Sequence, residues 1–396
     1  MNRKLYLLMR TIIVTYILIA SIIINAQNGY AQQQSTIINI VFTSDAHYGF
    51  TRKNFRGNTE VSGHKVNAAM ISQINTLPGL TLPADGGVNQ AKPVKYIDYL
   101  IQTGDITNRM EIPIQTAAAS WKEFNEDYLH ALTVKNSNGK PAKVFMVPGN
   151  HDISNAIGYY KPMAPQTDAS SIANIYNLMM HPAKPLTAQN YNYHTNKVNY
   201  SRNIGNIHFM FITLWPDSAE RIWMEKDLAT VPRTMPVMIF THDQPTCEAV
   251  HFTNPTAPYK IIPGNPFENL TEEHYKEGNA VDKKNSSTDI EQRGWVKFLK
   301  AHPNIKAYFH GNSNWNEYYV YHGPDNDVSL PVFRVDSPMK GKYSAKDESL
   351  LSFQLISIDP NKQKLTVREC LWNKAKSASP QPVIFASQTS ISLKTN

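Results

Sequence analysis

Val147-Pro148-Gly149-Asn150-His151-Asp152 is the stretch from which the rest of the chain can be read. The apolar run around its start, Val144-Phe145-Met146-Val147, predicts a short buried β-strand that Pro148-Gly149 ends sharply. An amide, an imidazole and a carboxylate follow at once. Open α/β sheets place ligands beyond the carboxyl ends of their strands, so these three side chains are expected at the lip of a cleft. Taken alone, Gly-Asn-His-Asp is equally an Asn-rich turn. Two carboxylate-bearing strand ends upstream argue against the turn.

Toward the N-terminus, Ile37–Phe42 reads as a buried strand running into Ser44-Asp45-Ala46-His47. Asp45 and His47 are two apart, so in extended chain they share a face and converge on one ion. Tyr96–Gln102 leads to Gly104-Asp105, where the glycine allows close backbone approach to a ligand. Toward the C-terminus, Val237–Phe240 ends in Thr241-His242-Asp243, and Ile305–Phe309 ends at His310-Gly311-Asn312-Ser313-Asn314.

Between these blocks the spacing predicts helices over Ala117–Leu132, Ala169–Met180, Ser218–Ala229 (with Ser218 as cap) and Asp289–Lys300. Trp121, Phe124 and Tyr128 of the first read as core. Val198–Asn203 and Ile207–Leu214, split by Gly205-Asn206, predict a β-hairpin. Tyr318–Tyr321, Val332–Val335, Leu351–Ile358 and Lys364–Leu371 alternate like antiparallel strands. Thr51–Pro93 reads as a loop-like excursion with one helical patch at Val66–Ile74, and Cys247–Asn285 as the longest loop. Neither a repeat nor a linker divides the chain, so residues 32–396 are expected to form a single domain.

The chain has 396 residues, 41% of them hydrophobic and 10% aromatic, enough for a full core. Its formal charge is +7, but Arg3, Lys4 and Arg10, with no acid among the first 31 residues, account for three of those charges and leave +4. With no basic run interleaved with aromatics, nucleic acid is not indicated as a partner. Arg3 and Lys4, the apolar Thr11–Ile24 and the small residues of Gly29-Tyr30-Ala31 read as a signal peptide over 1–31, hence an exported protein, periplasmic or extracellular. Arg10 leaves the apolar run shorter than a membrane span, so no stable anchor is expected after cleavage. Cys247 and Cys370 are either bridged or two free buried thiols. Oligomeric state is not legible.

Asp45/His47, Asp105, Asn150/His151 and His242 thus stand on four successive strand ends. The order resembles the calcineurin-like metallophosphoesterase superfamily, whose blocks are Asp-x-His, Gly-Asp, Gly-Asn-His-Asp/Glu, a lone His and Gly-His-x-His. The resemblance spans Ile37 to Asn314. It implies an α/β fold of two mixed β-sheets packed face to face with flanking helices. It also implies two divalent or trivalent metal ions (Mn, Fe, Zn or Mg) and hydrolysis of a phosphoric mono- or diester by a metal-bridging hydroxide. Asp45 and His47 would bind the first ion, Asp105 would bridge, and Asn150 and His242 would bind the second. His151 would face the leaving group and Asp152 would orient it by hydrogen bonding. The expected partner is a small phosphorylated substrate.

The fifth block departs from the pattern, reading Gly311-Asn312-Ser313-Asn314. Three readings stand. Asn312 and Asn314 bind through their amide oxygens, giving a harder site suited to Mn²⁺ or Mg²⁺; His310 supplies a ligand through a shift in register; or the protein is a degenerate, non-catalytic binder on the same fold. The first, assisted by the second, is favoured because the other blocks are intact. Arg109 is a candidate phosphate clamp, Tyr48 and Arg52 are candidate pocket linings, and Trp315 is read as a stacking platform or a packing residue.

Overall fold

The computed structural model describes residues 37–107, 115–153, 169–246, 289–377 and 381–395. The expected signal peptide (residues 1–31), the stretch 247–285 expected to be a loop, Cys247 and Arg109 lie outside them. Continuous apolar runs such as Val237-Met238-Ile239-Phe240 are what strands covered on both faces require, and they form the middle of two sheets. The first sheet has the order β14 (Ile384–Ser392), β13 (Lys364–Leu371), β12 (Ser352–Asp359), β1 (Ile38–Thr43), β4 (Tyr99–Gln102), β5 (Lys143–Met146). Its β1, β4 and β5 are parallel, and the rest pair antiparallel. The second has the order β10 (Glu317–Tyr321), β11 (Leu330–Arg334), β9 (Ile305–His310), β8 (Val237–Phe240), β7 (Ile207–Phe211), β6 (Tyr200–Ile204). Its four inner strands are parallel and its two outer pairings antiparallel. Both sheets are mixed, as expected. Val332–Val335, expected to be antiparallel, falls largely in β11, which is antiparallel to β10 and parallel to β9.

Aromatic rings join the two sheets. Phe211, Phe240, Phe309 and Phe333 sit on neighbouring strands and stack in a row, with centroids 5.4, 4.6 and 4.9 Å apart. Phe42 of β1 meets this row edge-on, 5.9 Å from Phe240 and 5.6 Å from Phe309, and Phe145 of β5 lies 5.2 Å from Phe211. Edge-to-face and offset contacts of this kind add to the area they bury.

The β6–β7 hairpin turns at Gly205-Asn206, both with positive φ, as its sequence predicts. The helices are α1 (Gly63–Ile74), α2 (Ala117–Phe124), α3 (Asn150–Ile153), α4 (Ser170–Met180), α5 (Ser218–Leu228) and α6 (Asp289–Ala301). Asp217, not Ser218, caps α5 by accepting from the Glu220 N–H at 2.9 Å. Beyond α2 the chain widens into a π-helical stretch, Asn125–His130, and Phe124 stacks on Tyr128 at 4.5 Å, both buried. The 51–93 excursion is more ordered than its punctuation suggests. It holds a hairpin, β2 (Thr51–Phe55) with β3 (Asn58–Ser62), and then α1. Asn67 of α1 donates to the Ala46 carbonyl at 2.9 Å, which ties the excursion to the first site loop.

Candidate metal centre

Each parallel strand that ends toward the cleft delivers one block: β1 delivers Asp45 and His47, β4 Asp105, β5 Asn150 and His151, β8 His242, and β9 Asn312 and Asn314. The loops must turn at once and pack against each other. Asp45, His47, Asp105, Asn312 and Asn314 all adopt left-handed φ, between 44° and 64°, which non-glycine residues rarely do. Glycine makes the approach possible. A Cβ on Gly104 (φ +98°) would overlap the Gly149 backbone, and one on Gly311 would overlap the Ser44 hydroxyl and the Asp45 carboxylate.

Two sets of buried donors result. His47, Asp105 and His151 offer ligand atoms within 4.8 Å of one another, and so do Asp45, Asp105 and His242. Asp105 belongs to both, its Oδ2 3.7 Å from the Nε2 atoms of His47 and His151 and its Oδ1 3.4 Å from His242 Nε2. Asn150 joins the second set, with Oδ1 3.0 Å from His242 Nε2. His242 Nδ1 lies 2.6 Å from the Thr103 carbonyl, an arrangement that keeps the proton on Nδ1 and turns Nε2 inward. Burial opposes the charge of Asp105, yet the imidazoles of His151, His242 and His47 outweigh it and hold the carboxyl well below its usual range. Burial likewise opposes the His242 imidazolium, and Asp105 and Asp45 overcome it, lifting its pKa to about 10. A field that favours a proton there favours a metal cation.

The donor set fits metal. Asp45 Oδ1, both ring nitrogens of His47 and Asn314 Oδ1 are buried and meet no hydrogen-bond partner, which costs free energy unless a cation takes them. Hard oxygen donors and imidazole nitrogens together suit Mn, Fe, Mg or Zn.

The two amides of the fifth block differ. Asn314 donates its Nδ2 to the Asn312 carbonyl and leaves Oδ1 as the orphan acceptor just described. Asn312 donates its backbone N–H to Asp45 Oδ2 at 2.8 Å and its side-chain Nδ2 to Asp243. A carboxylate can only accept, so Asp243 turns the Asn312 amide nitrogen toward itself. Asp243, fully buried, is a residue of the site that sequence reasoning missed; its signal is a carboxylate directly after the lone His at a strand end.

Several expectations are corrected. His310 supplies no ligand: its Nδ1 lies 2.9 Å from the Gly311 carbonyl and its Nε2 3.0 Å from the Tyr319 hydroxyl, because a neighbouring strand position faces the other way. Tyr48 lines no pocket; its hydroxyl donates to Asp127 at 2.8 Å beneath the site, against Phe124. Arg52 is buried and donates to the carbonyls of Pro338, Met339 and Ser344. Asp152 does not orient the His151 ring. It accepts from the N–H groups of Ile106, Thr107 and Gly149 and from the Ser171 hydroxyl, fastening the β4 and β5 loops to α4. Burial and the nearby Asp105 charge push its pKa up to about 6. Cys370 is a free, buried thiol. Trp315 packs beneath Arg334, whose guanidinium carbon lies 3.2 Å from its ring centroid.

No curated protein matches the chain. Among solved structures it is similar to a dimetal phosphatase from Danio rerio, at 8% identity and a TM-score of 0.48 over 90% of this chain and 99% of that one. It is also similar to a putative 5'-nucleotidase from Staphylococcus aureus (10% identity, TM-score 0.35, 91% of this chain and 55% of that). A third is the phosphopantetheinyl hydrolase of Mycobacterium tuberculosis (13%, TM-score 0.34, 77% and 91%). The description calcineurin-like phosphoesterase matches residues 38–337, the span that contains every strand-end block described above. The chain therefore belongs to the calcineurin-like phosphoesterase family.

Proposed function

We propose that this protein is a phosphoric ester hydrolase working on a small phosphorylated substrate with two metal ions bound, and that it acts outside the cytoplasm. The observation that carries the reading is the pair of buried donor sets sharing Asp105. Following the family arrangement, Asp45 and His47, 3.5 Å apart, would hold one ion with the Asn314 amide oxygen, and Asn150 and His242 the other, with Asp105 common to both; Asp45 also stands in the donor set of His242, and His151 in that of His47. When bound, the ions supply charge stabilisation for the phosphoryl oxygens and an acidic water. The chain supplies the rest. The glycine contacts fix the loops, the Thr103 carbonyl sets the His242 tautomer, and the His151 imidazole, its Nε2 3.7 Å from Asp105 Oδ2, would give a proton to the departing oxygen. The export reading rests on the first 31 residues. No helix among the described residues is long and apolar enough to cross a membrane.

The test takes the chain from Gln32, stripped of metal, and adds Mn²⁺, Mg²⁺, Zn²⁺ or Fe singly to a chromogenic phosphomonoester and a phosphodiester. Activity with at least one ion is expected, and Asp105→Asn should lower it by roughly 10²–10³-fold or more. The retention of the Asn312 amide by Asp243 favours a second reading, a non-catalytic binder. Metal binding by calorimetry with no turnover of either ester would establish that reading and sink the first.

A further inference from the structure

On one side of the sandwich the two sheets end on β5 and β6, and a cavity of about 480 Å³ opens between these edges. It shares no lining residue with the metal centre. Met179 and Tyr200 line it and are buried; the Phe145 ring lies 5.3 Å from that of Tyr99, stacked on it, and 6.3 Å from that of Tyr200. Lys143, His181 and Arg202 also line it and are exposed, so they stand toward its mouth. No carboxylate is among the lining residues. Two neighbouring acids are taken up elsewhere. Asp98, beside Tyr99, accepts from the N–H groups of Asn39 and Ser137, and Asp227 accepts from the Ser201 hydroxyl and pairs with His208. Arg202 has its guanidinium carbon 5.2 Å from the Tyr200 ring centroid, and neither it nor Lys143 makes an ion pair among the described residues.

The outer backbone groups of β5 face this cavity. In a parallel ladder every second residue bonds the neighbouring strand. The Lys143 N–H donates to the Asp98 carbonyl at 3.2 Å and the Val147 N–H to the Gln102 carbonyl at 3.1 Å, so odd positions face β4 and even positions face outward. Met146 bears this out. Its N–H donates to the Tyr200 hydroxyl at 3.0 Å, and that hydroxyl donates to the Met146 carbonyl at 2.8 Å. Val144, the other outward position, is half-buried and lines the cavity, and its N–H and C=O have no partner among the described residues. An open N–H beside an open C=O is the unit that an added peptide strand bonds. A fatty acid would suit apolar walls under a basic mouth, but its carboxylate offers no donor to the Val144 carbonyl. An amide satisfies both groups.

We propose that this cavity binds the C-terminal end of a peptide. A backbone amide of the peptide pairs with Val144, an apolar last side chain lies against Phe145 and Tyr200, and the terminal carboxylate meets Lys143 and Arg202. The volume suits a short peptide end and not a folded partner. The site stands apart from the metal centre and does not depend on the hydrolase reading.

The test titrates the full protein by calorimetry with N-acetyl-Ala-Ala-Phe as the free acid, with the same peptide as its C-terminal amide, and with decanoate. Wild type is compared with Val144→Pro, which removes the outward N–H and leaves the ladder to β4 intact, and with the double variant Lys143→Gln/Arg202→Gln. Lys362→Gln, on the exposed turn between β12 and β13, is the control. Wild type should bind the acid about tenfold more tightly than the amide. The double variant should remove most of that difference by weakening the acid alone. Val144→Pro should weaken both peptides about fivefold or more and leave decanoate unchanged. The control should match wild type. Absence of peptide binding, equal affinity for acid and amide, peptide binding indifferent to Val144→Pro, or decanoate held as tightly as the acid would each overturn the proposal. The double variant, at two exposed side chains, decides the matter should Val144→Pro not fold.

Discussion

Asp336 is a carboxylate buried beside the metal loops whose oxygens meet no hydrogen-bond donor at good geometry, with the Arg52 charge nearby. Burial pushes its pKa up to about 8. The folded protein therefore keeps a proton there that the unfolded chain gives up near pH 4. The stability this protonation contributes is complete below about pH 4 and is lost as the pH rises through about 8. Asp336→Asn should match wild type in acid and exceed it increasingly up to about pH 9, by on the order of a few kcal/mol, in urea melts at pH 5, 7 and 9. An identical pH slope in both proteins would show that Asp336 is ionised in the fold. At this scale the sequence is a partial guide. Asp45, His47, Asp105, Asn150 and His242 are legible because each follows an apolar run. Tyr48, Arg52 and His310 mislead because adjacency in sequence does not say which way a side chain turns after a left-handed residue.

Elements were easier to foresee than their ends. The strand and helix segments follow from apolar runs and helical spacing, while α5 starts with Asp217 as cap and the 51–93 stretch hides a hairpin and a helix behind Gly and polar residues. β14 went unread because its side chains are mostly exposed and its sequence is rich in Ser, Gln and Thr. What the elements contribute to the centre is proximity of their carboxyl ends, and Gly311 is where β9 meets β1. Gly311→Ala forces a methyl group into Ser44 and Asp45. It should weaken metal binding at least tenfold in calorimetry and cost about 1–3 kcal/mol of stability. Metal affinity equal to wild type would mean that the two loops separate without consequence.

For the molecule as a whole, the stacked rings of Phe211, Phe240, Phe309 and Phe333 with Phe42 set against them hold sheet to sheet. Phe42→Ala should cost about 3–5 kcal/mol in denaturant melts. Because Phe42 lies three residues before Asp45, its loss should also loosen the first metal loop; a large loss of stability with metal affinity intact would separate the two. The face-to-face arrangement itself was inferred from family resemblance, since periodicity alone does not say which strands share a sheet.

The centre is gathered from residues as far apart in the chain as Asp45 and Asn314, and Ser337 locks the first of them from further on still. Both three-residue donor sets lie between Asp45 and His242, while Asn314 and the Ser337 lock come from the last third of the chain. Such distant pairings form late, after the loop entropy between them has been overcome. A chain still emerging from the ribosome therefore carries its Asp and His donors before the residues that lock the first metal loop, and the centre is finished only when the last third of the chain has folded onto it.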